Sequence, residues 1–343
     1  MTKMKKKPKV IGLFSGCGGL DFGFQNAGYD IVFANDIEKN VKETYEHNLK
    51  HQITIDDICK IDKSTLPQAD VILAGIPCQP FSNAGKREST GTSDGNLFLQ
   101  VIEVVKAQNI PPKLIVFENV RGFLSSKDCD GTSMIDRFKI EMGNLGYHTS
   151  YKLLNASDFG VPSNRYRVFI ICTLEELNIN FEFPMPEIFS AKITVGEVIS
   201  KQLPEDEKPE VWSLPPSAMR IISYIKEGGS WKDIPYEELS NAHKKIKDNM
   251  KKYRSPNFYR RFSRNEIMGT ITAASTPENS GIFHPLEDRR YSVREIARFQ
   301  SYPDHFKFIN KSVASKYKMI GNSVPPKLAE VIAIAIKEQV FAS

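Results

Sequence analysis

Val10-Ile11-Gly12-Leu13-Phe14-Ser15-Gly16-Cys17-Gly18-Gly19-Leu20 runs from a short apolar segment into a glycine-rich turn, and an amphipathic stretch follows it as far as Gly28. A strand that hands over to a helix has this pattern, and glycines at the handover let the backbone come close to a ligand. Downstream the same alternation repeats. Asp30 to Asn35, Val71 to Gly75, Lys113 to Glu118, Thr149 to Asn155 and Arg167 to Thr173 read as further buried strands. Helical patterning covers Lys39 to Asn48, Leu97 to Gln108 and Thr132 to Leu145, the last closed by Gly146. Alternating strands and helices predict an α/β fold, a mostly parallel sheet with helices on both faces. Such sheets hold ligands at the carboxyl ends of their strands.

After Phe183 the character changes, with Pro184, Pro186, Pro204, Pro209, Pro215 and Pro216 interrupting the periodicity. The expected division is a catalytic and cofactor-binding domain over 1–185, completed by 286–343, and a small irregular target-recognition domain over 186–285. Helical patterning returns at Ser292, an N-cap for Val293 to Gln300, and a final helix starts at Pro325.

The 343 residues are 41% hydrophobic and 25% charged, enough for a substantial core without disulfides or metal. The five cysteines, Cys17, Cys59, Cys78, Cys129 and Cys172, contain no C-x-x-C pair. That argues against a zinc site or a disulfide framework and for a reducing compartment. No apolar run reads as a membrane span, the longest being Val331 to Ile336, and the lysine-rich start lacks the apolar stretch of a signal peptide. The net charge of +5 is modest. However, Ser240 to Asn265 holds nine Lys or Arg residues against the single acid Asp248, interleaved with Tyr253, Phe258, Tyr259 and Phe262. Such a stretch is either a solvated basic face or a nucleic-acid contact.

Candidate chemistry gathers at the strand ends. The spacing of Gly16, Gly18 and Gly19 is not that of a dinucleotide fingerprint, whose third glycine would fall at Asp21. Asp36, closing the second strand, can accept from ribose hydroxyls, with Ile37 beside it for an adenine face; Asp57-Ile58 offers a second acid and apolar pair. Turn chemistry is the commoner fate of such acids. Gly75-Ile76-Pro77-Cys78-Gln79-Pro80-Phe81-Ser82 places a cysteine between prolines, in a stiff non-helical loop. Phe117-Glu118-Asn119-Val120 adds a carboxyl, and Asn164-Arg165-Tyr166-Arg167 two arginines at i and i+2. A thiol, a carboxyl and a guanidinium together suggest covalent chemistry on a polar ring.

These segments, with R-E-I-A-R-F-Q-S-Y-P at Arg294 to Pro303 and G-N-S-V-P-P at Gly321 to Pro326, resemble the cytosine-5 DNA methyltransferases of bacterial restriction–modification. Asp36 stands where glutamate is usual, and Ser163 where glutamine often precedes the arginine pair. The resemblance implies a Rossmann-like fold and S-adenosylmethionine as methyl donor, with no metal. It implies duplex DNA as substrate and base flipping as the way to reach it. By the same resemblance Cys78 is the nucleophile, Glu118 the group at ring nitrogen 3, Arg167 the contact to the ring carbonyl and Arg165 the residue positioning Glu118 or the flipped nucleotide. Phe14, Ser15, Gly16, Gly18, Gly19, Asp36, Ile37, Asp57, Ile58, Pro77, Leu97, Asn322, Ser323 and Val324 fall to the cofactor, with the last helix packing beside the first strand. Gln79 and Ser82 open a mobile loop that closes over DNA; Lys251, Lys252, Tyr253, Arg254, Arg260, Arg261, Thr270 and Thr272 are the remaining DNA candidates. A monomer in the bacterial cytoplasm, near the nucleoid and alongside a cognate endonuclease, is the implied setting. The alternatives are an RNA cytosine-5 methyltransferase, a non-catalytic binding partner and a nicotinamide-dependent oxidoreductase.

Overall fold

The computed structural model describes residues 6–77, 97–127, 131–186, 192–205, 207–249, 258–277 and 280–342. Cys78, Gln79, Ser82, Lys251, Lys252, Tyr253 and Arg254 lie outside the described residues. Two compact units share the chain: 1–155, 166–186 and 324–343 form the first; 156–165 and 187–323 form the second.

The first unit is built on a seven-stranded sheet: β1 Lys9–Leu13, β2 Asp30–Asp36, β3 Thr54–Ile55, β4 Val71–Ala74, β5 Leu114–Val120, β6 Tyr147–Asn155 and β7 Tyr166–Leu174. Their spatial order is β3-β2-β1-β4-β5-β7-β6. From β1 the chain runs one way to β2 and β3 and then restarts on the other side at β4, so the order reverses between β1 and β4. Ligands of open α/β sheets bind at such a reversal. All pairings from β3 to β5 are parallel, whereas β7 runs antiparallel to both neighbours. The sequence pattern marks every strand except β3, whose two residues are too short for any period to register.

Helices cover both faces. α1 is Gly19–Asn26, α2 Lys42–Leu49, α3 Leu97–Lys106 and α4 Met134–Gly143. Ile11, Leu13, Ile72, Ile115 and Phe117 point to one face, where Phe98 and Val101 of α3 and Phe138 and Met142 of α4 meet them. The Phe98 and Phe138 rings stack with centroids 3.8 Å apart. Gly12, on the alternate face of β1, lies under Asp21 of α1. Strands buried on both faces explain why β4 and the first four residues of β5 read as unbroken apolar runs.

The second unit carries short helices: α5 Val195–Ile199, α6 Pro216–Ile221, α7 Asn241–Asp248, α8 Val293–Phe299 and α9 Val313–Asn322. Ser292 caps α8 as expected, in a capping box with Glu295. Residues 286–323 fall within this unit, whereas the sequence pattern groups that segment with the catalytic domain. The reason is local: Val293 N–H donates to the Glu210 carbonyl at 2.8 Å, and the Arg298 guanidinium donates to the carbonyls of Lys201 and Gln202.

α10 Pro326–Val340 returns to the first unit and packs on α1, the helix that follows β1. Gly23 permits this approach, since a Cβ there would lie 2.5 Å from Ala329 Cβ and 2.7 Å from the Pro326 carbonyl. Val313–Val340 together is long and apolar enough to span a membrane, a stretch that the apolar runs of the sequence do not single out. Two helices separated at Ser323–Pro325 divide it, and 67% of the apolar window is buried within the protein.

Candidate active site

At the carboxyl end of β1 the backbone turns through left-handed conformations at Phe14 (φ 55°), Gly16 (φ 55°) and Gly18 (φ 91°). Gly18 is the N-cap of α1, and a side chain there would run into Leu49 and Tyr45. Among the described residues nothing lies within 4 Å of a Cβ built on Gly16, so that side of the turn is open to them. Ser15 N–H is held by the Asn35 carbonyl at 3.0 Å, and Gly16 N–H by Asp36 Oδ2 at 2.7 Å. Asp36 Oδ1 also accepts from Glu38 N–H at 2.8 Å. Burial pushes the Asp36 carboxyl up, while the hydrogen bonds from Glu38 and Gly16 pull it back. Next to it Ile37 is 66% exposed, an apolar side chain presented to solvent at a strand end.

Asn35 is a member of this site to which sequence reasoning assigns no role. Its buried amide donates to the carbonyls of Thr54 and Asp56, at 3.0 and 2.9 Å. That staple brings the β3 end and Asp57 alongside Asp36. Asp57 itself accepts from Cys59 N–H at 3.0 Å, chiefly through which its carboxyl is held below its ordinary range. It therefore does have the turn role weighed for it. Ile58 is only 3% exposed, its side chain packed in the core cluster.

β4 leaves the sheet between β1 and β5. Gly75 N–H donates to the Leu13 carbonyl, and the described chain runs on through Ile76 and the exposed Pro77, one residue before Cys78. Asn119 Nδ2 donates to the Ile76 carbonyl at 3.4 Å, tying the segment that leads to the thiol onto the end of β5. Because β7 is antiparallel, its first residues lie at the carboxyl end of β5, with Arg167 opposite Val120 and Phe169 opposite Glu118. Arg167 and Glu118 are thus diagonal neighbours on one face. Arg167 Nε sits 2.7 Å from Glu118 Oε1, and both side chains are 10% exposed. Arg167 also donates to the Tyr166 carbonyl.

The sequence assigns Arg165 to Glu118 or the flipped nucleotide, and Arg167 to the ring carbonyl. The structure pairs Glu118 with Arg167. Arg165, 0% exposed, belongs to the second unit and donates to the carbonyls of Ile271, Gly321 and Ser323 at 2.8–2.9 Å. Ser163 works alongside it, its hydroxyl donating to the Gly269 carbonyl. Asn322 is exposed, while the Ser323 hydroxyl donates to the Ile320 carbonyl and Val324 is buried. Leu97, half-buried, begins α3.

Arg260 and Arg261, expected to reach DNA, are engaged within the second unit. Arg260 holds the carbonyls of Gly228 and Gly229 and pairs with Glu266. Arg261, 5% exposed, pairs with Asp288 at 2.6 Å and donates to the Ile222 carbonyl. Phe258, Tyr259 and Phe262 are buried core residues. The Thr270 hydroxyl donates to the Asn164 carbonyl, and that of Thr272 shares a hydrogen bond with Ser280.

A strand-end turn open at Gly16, an acid beside it and a carboxyl–guanidinium pair, taken with the proline-flanked cysteine of the sequence, fit one family. The family model described as C-5 cytosine-specific DNA methylase matches residues 8–338. The chain belongs to the C-5 cytosine-specific DNA methylases. It is 36% identical over 341 residues to the type II methyltransferase M.FnuDI of Fusobacterium nucleatum, covering 96% of this chain and 94% of that one. To the type II methyltransferase M.MthTI of Methanothermobacter thermautotrophicus it is 35% identical, covering 96% and 97%. The fold matches the crystal structure of the S. pombe Dnmt2 methyltransferase with a TM-score of 0.72, at 19% identity over 98% of this chain and 100% of that one. As a C-5 cytosine-specific methylase it uses S-adenosylmethionine to methylate cytosine in DNA; the RNA alternative is not favoured.

Proposed function

We propose that this methylase acts on a short duplex DNA site through attack of Cys78 on carbon 6 of a flipped cytosine, with Glu118 held by Arg167 as the group at ring nitrogen 3. The 2.7 Å Glu118–Arg167 pair at the end of β5, whose Asn119 holds Ile76 two residues before Cys78 in the sequence, carries this reading. Carbon 5 of cytosine is too weak a nucleophile to be methylated directly. Addition of the Cys78 thiolate to carbon 6 makes the ring an enamine and carbon 5 nucleophilic. A proton shared between ring nitrogen 3 and Glu118 neutralises the charge that addition builds up. The second Glu118 oxygen accepts from the exocyclic amino group, which selects cytosine over thymine. Arg167 fixes the carboxyl's orientation and keeps guanidinium N–H groups for the ring carbonyl.

The residues of the β1 turn suit the methyl donor. Gly16 leaves room, Asp36 offers a carboxylate for ribose hydroxyls, and Ile37 presents an apolar face. When bound, S-adenosylmethionine supplies a methyl group made electrophilic by its sulfonium. Arg165 acts as a positioning residue, fixing backbone in the second unit. Tyr253 to Ser275 is the proposed reader of the DNA sequence, with Lys251, Lys252 and Arg254 on phosphates. Protection of the host's own DNA, as a monomer beside an endonuclease of the same specificity, is the cellular role that type II relatives suggest.

Bisulfite sequencing of plasmid from an expressing host identifies the methylated site. A duplex carrying 5-fluorocytosine there then tests the chemistry, because fluorine cannot leave as a cation and the final elimination stalls. The enzyme should remain attached to DNA through Cys78 under denaturing electrophoresis, only with S-adenosylmethionine present. Cys78→Ala should abolish the adduct and still bind DNA. An adduct at another cysteine, or methylation by Cys78→Ala, overturns the mechanism.

A further inference from the structure

Asp21 lies in the first turn of α1 and is 1% exposed, yet neither the chemistry above nor the sequence motifs use it. Its carboxyl occupies the space that Gly12 leaves empty: a Cβ on Gly12 would lie 2.5 Å from Asp21 Oδ2 and 2.7 Å from Ser15 Oγ. Tyr45 of α2, fully buried, donates its hydroxyl to Asp21 Oδ2 at 2.7 Å. The Asp21 carboxyl and the Ser15 hydroxyl thus both lie against Gly12, just before the turn that runs through Gly16 to Gly18. We propose that Asp21, braced by Tyr45, is a positioning residue for the cofactor turn Phe14–Gly18, and that its ionised form is the one competent to bind S-adenosylmethionine.

The inference rests on the turn being the cofactor site. A carboxylate only accepts hydrogen bonds, so it takes the Tyr45 hydroxyl proton and keeps acceptor positions on the Ser15 side; a carboxylic acid gives up an acceptor position and must itself find a partner. Protonation of Asp21 therefore disturbs the contact that borders Ser15. Four groups act on Asp21 from the elements around it: Tyr45 from α2, Ser15 from the turn, His51 beyond α2 and Asp36 from β2. Burial raises its carboxyl to about 6, with the Tyr45 and Ser15 hydroxyls and His51 opposing and the Asp36 charge adding to the rise. The group can change its protonation between about pH 5 and 7. By linkage, a cofactor that binds only the ionised form releases a proton on binding in that range.

Calorimetric titration of the full-length protein with S-adenosylmethionine, without DNA, reads this directly between about pH 5.5 and 8 in buffers of different ionisation enthalpy. Expected for the wild type is a Kd that weakens by up to about tenfold per pH unit below about 6, with proton release on binding near that pH. Asp21→Asn should bind several-fold more weakly at the alkaline end, show a flatter acid limb and lose the proton release. In turnover it should raise KM for the cofactor while leaving kcat at saturation within about twofold. Tyr45→Phe, which removes a donor to the carboxylate, should shift the acid limb to higher pH. Wild-type Kd and proton release in Asp21→Asn, or an unmoved limb in Tyr45→Phe should Asp21→Asn not fold, would overturn the proposal. A wild type that binds no cofactor would instead overturn the reading of the turn itself.

Discussion

The carboxyl end of the sheet and the 258–283 region of the second unit both carry charged residues that the sequence singles out, yet the fold uses them differently. Around β5 and β7, Glu118 and Arg167 pair with each other at the open end of two strands whose backbone groups the ladder already satisfies. In the second unit, arginines satisfy the backbone instead. Arg165 serves three carbonyls, Arg260 those of Gly228 and Gly229, Arg294 those of Pro303 and Phe306, and Arg298 those of Lys201 and Gln202. An irregular unit of short helices and isolated bridges leaves many carbonyls without ladder partners. Arginine, with five donors in a rigid fork, is the side chain best suited to collect them. Positive charge in such a unit is therefore weaker evidence of a DNA surface than its sequence density suggests.

The comparison is broken most sharply at Glu118. Glu118→Gln should lower the transfer rate by roughly 10²–10⁴-fold, about 3–5 kcal/mol of barrier, with Tm and cofactor affinity nearly unchanged. Single-turnover methylation beside calorimetric cofactor binding measures both. Parallel loss of cofactor affinity would move Glu118 out of the role given to it. Arg165→Ala should show the opposite profile, losing about 3 kcal/mol of stability because three buried carbonyls lose their donor. Urea unfolding reads that loss; an Arg165→Ala protein as stable as wild type, with its activity gone, would place the residue in the chemistry instead.

The smallest expected effect sharpens the contrast within the basic stretch. Neutralising Lys251, Lys252 and Arg254 together should flatten the salt dependence of DNA binding, by up to about 0.9 in log–log slope for each phosphate that these side chains neutralise in the wild type. Arg261→Gln should leave that slope unchanged and lower Tm, since its guanidinium is held by Asp288 and the Ile222 carbonyl. Equal slopes for wild type and the triple variant would return Lys251–Arg254 to a solvated face.

The sequence by itself determined the α/β class, six of the seven strands and the turn, acid and carboxyl at their ends, because periodicity and glycine placement are local properties of the chain. It also carried the family, since its motifs are contiguous. Tertiary structure alone decided which arginine meets Glu118. That choice depends on β7 being inserted antiparallel beside β5, and no local pattern encodes strand order. In the same way the partners of Arg260 and Arg261 emerge only once the carbonyls and acids around them are in place. Asp21 goes unnoticed in the sequence because its significance is a space left by Gly12 and a hydroxyl brought in by Tyr45, three positions that only folding puts together.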